Sequence, residues 1–338
     1  MVTTEIPARP EQPAPAPKRT GRKWALRIVL AILILAVLAV FAAIAFVWWT
    51  DSKIERIPSS ELTSLQAAEG GPRNFLVVGT DSRENLPDDY EKFGTFTGSR
   101  TDVIMLVHFV PGEGAQLLSI PRDLKVDFDD APTNRINAAY VIGGPDLLVE
   151  TVQDVTGVGI NHYVEIDFVG FAALVDSLGG VEIDFECAAR DSKSGLDVDA
   201  GPQTLDGEMA IAYVRSRSYQ ENCDGSWDTD GSGDIGRTGR QQALLLAVFD
   251  QAASPSRAFN MPSFASTFAE QIRADEGLNA GVILDLGRSA LSLNRSSIYT
   301  ATLPVKNHSE GGRSYVVMVE PDAEEVLTAF INGDPFPS

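Results

Sequence analysis

The chain has 338 residues, 44% of them hydrophobic and 22% charged, which excludes a wholly disordered, collagen-like or polytopic membrane protein. Its formal net charge of −20 is uneven: residues 1–50 hold six basic and two acidic groups, whereas residues 51–338 hold 21 basic against 45 acidic, a net −24. A body this acidic lacks the Lys and Arg surplus that supplies most affinity for phosphate backbones, so nucleic acid is excluded as a partner.

Residues 1–23 are rich in Pro, Ala and basic residues and cannot bury a core, which predicts a disordered tail. Residues 28–47 are an uncharged apolar run of 20 residues, enough for a helix of about 30 Å that matches the hydrocarbon core of a bilayer. Trp24 stands at one end and Trp48 and Trp49 at the other, so one transmembrane helix is expected over 24–50. Five Lys and Arg residues between Lys18 and Arg27 put the N-terminus in the cytoplasm and everything beyond about Asp51 outside. The competing reading is a signal peptide cleaved near Ala43-Ile44-Ala45, against which the apolar run is too long. Residues 51–72 read as a short stalk ending at Gly70-Gly71-Pro72.

The folded body opens on the β-type run Asn74–Gly79, followed by a longer β-branched run, Thr101–Val110, and its hairpin partner Ala115–Ile120 beyond the turn at Pro111-Gly112. These strands are continuously apolar, as in a sheet covered on both faces. Pro145 opens a helix with Leu147, Leu148, Thr151, Val152 and Val155 on one face. A strand over 163–168, a helix over 171–178 and a strand over 181–185 follow. Further helices are expected over 206–217 and 238–252. Beyond Ser254 come two helical stretches, strands near 297–303 and 315–319, and a closing helix from Pro321. This order implies an α/β fold: a three-layer α/β/α sandwich with a mixed central sheet, preceded by the transmembrane helix.

Two cysteines, Cys187 and Cys223, fit an exported domain with one disulfide better than two buried thiols, and neither belongs to a metal-ligand spacing. His108, His162 and His308 are far apart and match no zinc pattern.

Chemistry is expected at the arginines. Residues 51–338 contain 16 Arg but five Lys, a bias that suits bidentate recognition of phosphate. Seven fall in four segments at strand or helix ends: Arg83, Arg100, Arg122, and Arg215, Arg217, Arg237 and Arg240. Asp81, Asp102 and Asp123 stand within two residues of three of them, and carboxylates beside arginines suit a Mg²⁺-bridged pyrophosphate. The alternative is a set of internal salt bridges, which spacing does not separate from a site.

The segments NFLVVGTDSR (74–83), SRTDVIML (99–106), LSIPRD (118–123), RINAAY (135–140), YVEID (163–167), LGGVEI (178–183), LDGEMAIAYVRSR (205–217) and GDIGRTGRQQ (233–242) together resemble the LytR–CpsA–Psr family. The resemblance implies a catalytic core over 73–253; some relatives carry an extra C-terminal domain, but the chain stops at Ser338, so none is expected and 254–338 complete the same domain. It also implies a Mg-dependent phosphotransferase that moves a glycopolymer from a polyprenyl-pyrophosphate carrier to a peptidoglycan acceptor, as in teichoic acid, capsule or arabinogalactan ligation. By position, Asp81 and Asp102 would hold Mg²⁺. Arg83, Arg100, Arg122, Arg215, Arg217, Arg237 and Gln241 would line the pyrophosphate, with Arg240 left out of the contact set. The base that deprotonates the acceptor stays open among Asp81, Asp102 and Asp123. The resemblance further implies an apolar cavity for the lipid, walled in part by the 145–156 and 238–252 helices.

Two other readings remain at this point: a pyrophosphatase with water as acceptor, and a non-catalytic wall-polymer or lipid-binding scaffold. One departure from the family pattern is an acidic insert at 218–235, SYQENCDGSWDTDGSGDI, read as a solvated loop because it lacks an EF-hand's spacing and closing glutamate. A Cys187–Cys223 bond would tether this insert near the site.

Overall fold

The computed structural model describes residues 45–68, 71–81, 101–129, 131–230, 233–253, 261–290 and 295–337. The tail expected over 1–23 and most of the span expected over 24–50 lie outside them. No helix among the described residues is long and apolar enough to cross a membrane. Residues 49–338 form one compact unit.

Chain order begins with strands β1 (Glu55–Ile57), β2 (Arg73–Thr80), β3 (Thr101–Val110), β4 (Gly114–Ser119), β5 (Lys125–Val126) and β6 (Asn134–Arg135). Helix α1 (Ala138–Thr156), β7 (His162–Asp167), α2 (Phe168–Ser177), β8 (Val181–Phe185), β9 (Ala188–Asp191), β10 (Leu196–Val198) and β11 (Gly201–Leu205) follow. Then come α3 (Gly207–Arg215), β12 (Gln220–Asn222), β13 (Asp228–Thr229), α4 (Gly233–Ala253) and α5 (Met261–Gln271). The chain closes with β14 (Ile272–Asp275), α6 (Ala280–Ala290), β15 (Ile298–Thr302), the hairpin β16 (Val305–Glu310) and β17 (Arg313–Met318), and α7 (Asp322–Asn332).

Seven strands form a mixed central sheet in the order β1-β14-β7-β2-β3-β4-β15. The β1–β14, β7–β2 and β4–β15 pairs are parallel and the others antiparallel. Alternation along β2 divides its side chains between the two faces. Leu76 and Val78 join a core with Leu148, Val149 and Val152 of α1 and Val326 and Phe330 of α7. Phe75 and Val77 join another with Ala269 of α5 and Val282, Ile283 and Leu286 of α6. Helices therefore cover both faces, which accounts for strands apolar on each side.

Local chemistry explains most element boundaries. Helix α1 begins at Ala138, before the proline expected to open it, but its regular part restarts at Pro145 after a break at Gly143-Gly144. Gly144 has φ +70°, which a residue with a Cβ adopts only under strain. Helix α2 starts at Phe168 because the Asp167 side chain caps it, accepting from Gly170 N at 2.7 Å. Asp206 caps α3 in the same way through Met209 N at 2.9 Å. A Cβ on Gly180 (φ +92°) would come within 2.7 Å of Thr204 Cγ2, so the β8–β11 pairing depends on that glycine.

Two expectations about connecting segments are corrected. Residues 51–72 are not a bare stalk: Glu55–Ile57 form the edge strand of the central sheet, and Ile57 and Leu62 are buried in its core. Three residues with a long-range parallel partner leave no periodic signal. The 218–235 insert is not simply a solvated loop: β12 and β13 add to β9 and β10 in a four-stranded sheet, and Arg190 covers the Trp227 ring at 3.9 Å.

The register that pairs Asn222 with Ala188 brings Cys223 opposite Cys187, and the two form a disulfide with 4.9 Å between Cα atoms. The loop it closes spans 36 residues, for which chain entropy gives roughly 4 kcal/mol and measured cases about 2–4 kcal/mol. Replacing both cysteines by serine is expected to lower unfolding free energy by about 2–4 kcal/mol, read as a lower denaturant midpoint with a somewhat steeper slope, because the unlinked unfolded chain exposes more surface.

Candidate active site

The site lies where β3 begins and β4 ends. Strands β2 and β3 pair Gly79 with Val103 but Thr80 with Thr101, so Asp102 is the extra residue of a β-bulge. A bulge re-aims the side chain it carries. Asp81 follows directly on Thr80, so the register sets both carboxylates at the same end of the sheet. Arg122, beyond β4, pairs through Nη1 with Asp102 Oδ1, and its Nε is 3.9 Å from Asp123 Oδ2. That Nε is buried and donates to no group among the described residues, as a donor reserved for an absent anion would.

Helix α4 supplies the facing wall. Gln242 pins it to the sheet, donating from Nε2 to Ala301 O at 2.7 Å and Ser119 Oγ at 2.9 Å. Arg237 and Gln241, one turn apart and both buried, face a cavity of about 840 Å³ that Asp102, Arg122, Asp123 and Arg135 also line. The same helix face continues through Leu244 and Leu245 into an apolar slot of about 60 Å³. Val77, Gly79 and Val103 floor this slot, and Phe168, Phe171 and Val214 complete it. Gln241 stands in the wall of both spaces.

The sequence-predicted residues separate into groups. Asp102, Arg122, Arg237 and Gln241 converge on the cavity. Asp81 is placed beside them by register. Arg215 and Arg217 stand apart from its walls: the Arg215 guanidinium lies 5.3 Å from the ring centre of Phe168, a wall of the slot, and Arg217 is exposed. Arg83 and Arg100 lie outside the described residues. Arg240 is a brace, donating to Ser216 O at 2.6 Å and pairing with Asp230 at 3.3 Å over the Tyr219 ring.

A family model, the LytR_cpsA_psr family, matches residues 49–332. The chain belongs to the LytR–CpsA–Psr family. Similar proteins include the "Probable cell wall biosynthesis protein LcpB" of Corynebacterium glutamicum, 35% identical over 82% of this chain and 65% of that one. A TagU protein of Halalkalibacterium halodurans, named a polyisoprenyl-teichoic acid–peptidoglycan teichoic acid transferase, is 32% identical over 60% of this chain and 61% of its own. The chain thus spans about two thirds or less of the length of these two relatives. Among solved structures, a "LytR-Csp2A-Psr enzyme from Actinomyces oris" aligns with a TM-score of 0.65 and 28% identity, over 82% of this chain and 96% of that one.

In this LytR–CpsA–Psr chain the turn after α3 is held by a residue that the sequence reading missed. Asp191, at the end of β9 and 2% exposed, accepts at Oδ2 from Ser216 Oγ (2.7 Å), Arg217 N (2.9 Å) and Ser218 N (2.8 Å). This capture ends α3 at Arg215, two residues before the expected boundary, because the next amides donate to Asp191. Burial alone would raise its carboxyl, but the Ser216 hydroxyl and the amides of Ser218, Lys193 and Arg217 prevail and hold it below the usual aspartate value. Its contribution to stability is therefore present above about pH 4 and fades as pH falls through the lowered value. Asp191→Ala is expected to cost about 3 kcal/mol at neutral pH, and denaturant unfolding is expected to show that deficit shrinking on acidification below about pH 4. Its one local partner, the Lys193 amide at 2.9 Å, is an ordinary turn contact, and the groups that hold the turn after α3 lie 25 or more residues away and leave no local pattern. Arg135 was also missed as a wall residue, although it opens one of the family segments.

Proposed function

We propose that the protein is a phosphotransferase that moves a glycopolymer from a polyprenyl-pyrophosphate carrier to peptidoglycan, working outside the membrane from an anchor at residues 28–47. One observation carries this reading: an arginine-lined polar cavity and an apolar slot share the wall residue Gln241. A ligand with an anionic head and a hydrocarbon tail fits that junction. The names of LcpB and TagU, a cell wall biosynthesis protein and a teichoic acid transferase, support the same reaction class.

In this reaction an acceptor hydroxyl attacks the phosphorus that carries the glycopolymer. The phosphoanhydride breaks, polyprenyl phosphate leaves with the bonding electrons, and the hydroxyl proton passes to a base. Arg122 and Arg237 hold the phosphoryl oxygens and stabilise charge on the leaving group, with Gln241 beside them; the family pattern adds Arg83, Arg100, Arg215 and Arg217, the last two from outside the cavity walls, Arg215 beside the slot. Asp81 and Asp102 fit a Mg²⁺ site: two hard oxygen donors at one sheet end leave positions for phosphate oxygens and water. When bound there, Mg²⁺ neutralises diphosphate charge. Asp123 lines the cavity beside Arg122 and Arg135 and is the carboxylate best placed to take the proton, since it is not one of the proposed metal ligands.

The test incubates the full-length protein in detergent with lipid-linked polymer and Mg²⁺, with and without peptidoglycan. Polymer joined to peptidoglycan supports transfer. Free phosphorylated polymer alone, in both arms, would establish hydrolysis instead.

A further inference from the structure

The cavity is larger than a diphosphate requires, and its two ends differ chemically. At about 840 Å³ it has the capacity of a site for a whole organic ligand. Asp102, Arg122, Arg237 and Gln241 mark one end. The other is built by the β16–β17 hairpin and the start of α7, where Asn307, Ser314, Tyr315 and Asp322 line it. An amide offers a donor and an acceptor together, a hydroxyl does both, and a carboxylate accepts only. Such a set matches vicinal sugar hydroxyls, each of which both donates and accepts. It matches an anion poorly, because the Asp322 carboxylate lines the cavity with them. Asn307 and Ser314 share one face of the hairpin, since Asn307 pairs with Val316 and Ser314 with Ser309, whereas the buried Tyr315 points to the other face.

This hairpin is docked, not loose. Val316 N donates to Asp123 O at 3.0 Å, and Leu124 and Val316 form a parallel bridge. Arg135 spans the junction: Nη1 is 3.1 Å from Asp123 Oδ1, while Nε and Nη2 donate to Ser314 O at 3.2 and 3.0 Å. The segment that carries Arg122 into one end of the cavity therefore fixes the backbone at the other.

We propose that the hairpin end is a saccharide subsite, with Asn307 and Ser314 as hydrogen-bonding residues that select the sugar adjoining the diphosphate. This rests on the phosphotransferase reading and deepens it. The sugar has two possible sources with the same chemistry, the first residue of the donor glycan and the acceptor, and the experiment separates them.

Both side chains are exposed and Ser314 uses its backbone carbonyl to hold Arg135, so truncating them spares the fold. The full-length protein and its Asn307→Ala, Ser314→Ala double variant are titrated with farnesyl diphosphate and with farnesyl diphosphate bearing N-acetylglucosamine. A donor-sugar site predicts that the variant loses about tenfold of the preference for the sugar-bearing probe, with farnesyl diphosphate affinity unchanged. An acceptor-sugar site predicts an intact preference, unchanged hydrolysis of the sugar-bearing probe in water, and an acceptor KM raised about tenfold for a peptidoglycan disaccharide. Either result supports the subsite. Preference and acceptor KM both within twofold of wild type would overturn it while leaving the phosphotransferase reading in place. Wild-type protein that binds neither probe would instead overturn that reading, and the subsite with it.

Discussion

Replacing Arg237 by alanine is expected to lower transfer by roughly 30- to 1,000-fold, about 2–4 kcal/mol of transition-state stabilisation, with a smaller change in substrate affinity. The magnitude follows from burial. Arg237 is 6% exposed in the wall of the polar cavity, where a guanidinium acts with little screening from water. Its fork matches two phosphoryl oxygens as a lysine does not, so Arg237→Lys is expected to recover only part of the loss. Arg288, exposed in the last turn of α6, is the control, and its alanine variant is expected to keep wild-type turnover. Partial rescue of Arg237→Ala by added guanidinium, with an unchanged unfolding midpoint, would separate lost chemistry from lost structure. Wild-type turnover by Arg237→Ala would remove this residue from the reaction.

Filling the apolar slot is expected to discriminate between substrates with and without a prenyl chain. Leu245 is half-buried and lines the slot next to Gln241, so Leu245→Trp puts an indole where the first prenyl carbons would lie. Displacing two or three buried CH₂ groups costs about 2 kcal/mol, or roughly 30-fold in KM for a long-chain carrier. A diphosphate with no prenyl group does not use the slot, and its kinetics are expected to stay within twofold of wild type. Equal losses on both substrates would show that the substitution disturbs the polar end, and unchanged KM for the long chain would show that the lipid lies elsewhere.

The element order was largely readable because its signals are local. Val77, Val78 and the run Val103–Val110 announce strands by composition, Pro145 and Pro321 mark helix starts, and Asp167 and Asp206 are caps whose partners lie three residues on. Among the elements that escaped notice, β1, β9, β12 and β14 have three or four residues apiece, too few for a periodic signal, and exist because distant strands accept them. Of the arginines, Arg122 and Arg237 meet at the cavity, whereas Arg240, identical in kind and three residues from Arg237, turns away to brace Ser216. Helical geometry explains the difference: Gln241 falls about 40° to one side of Arg237 and Arg240 about 60° to the other, toward Ser216 and Tyr219.

By itself the amino-acid sequence determined the class of fold, the family and the residue types from which an anion site is made, because periodicity, caps and motif spacing are properties of neighbours along the chain. Only the tertiary structure decided which of those residues meet. The bulge that turns Asp102, the reach of Asp191 to the turn after α3, the pairing of Cys187 with Cys223 and the docking of the 305–318 hairpin beside Arg122 all depend on strand register and packing between segments tens to nearly two hundred residues apart. Such contacts form where burial and hydrogen bonding outweigh the entropy of closing long loops, a balance that no stretch of local sequence records.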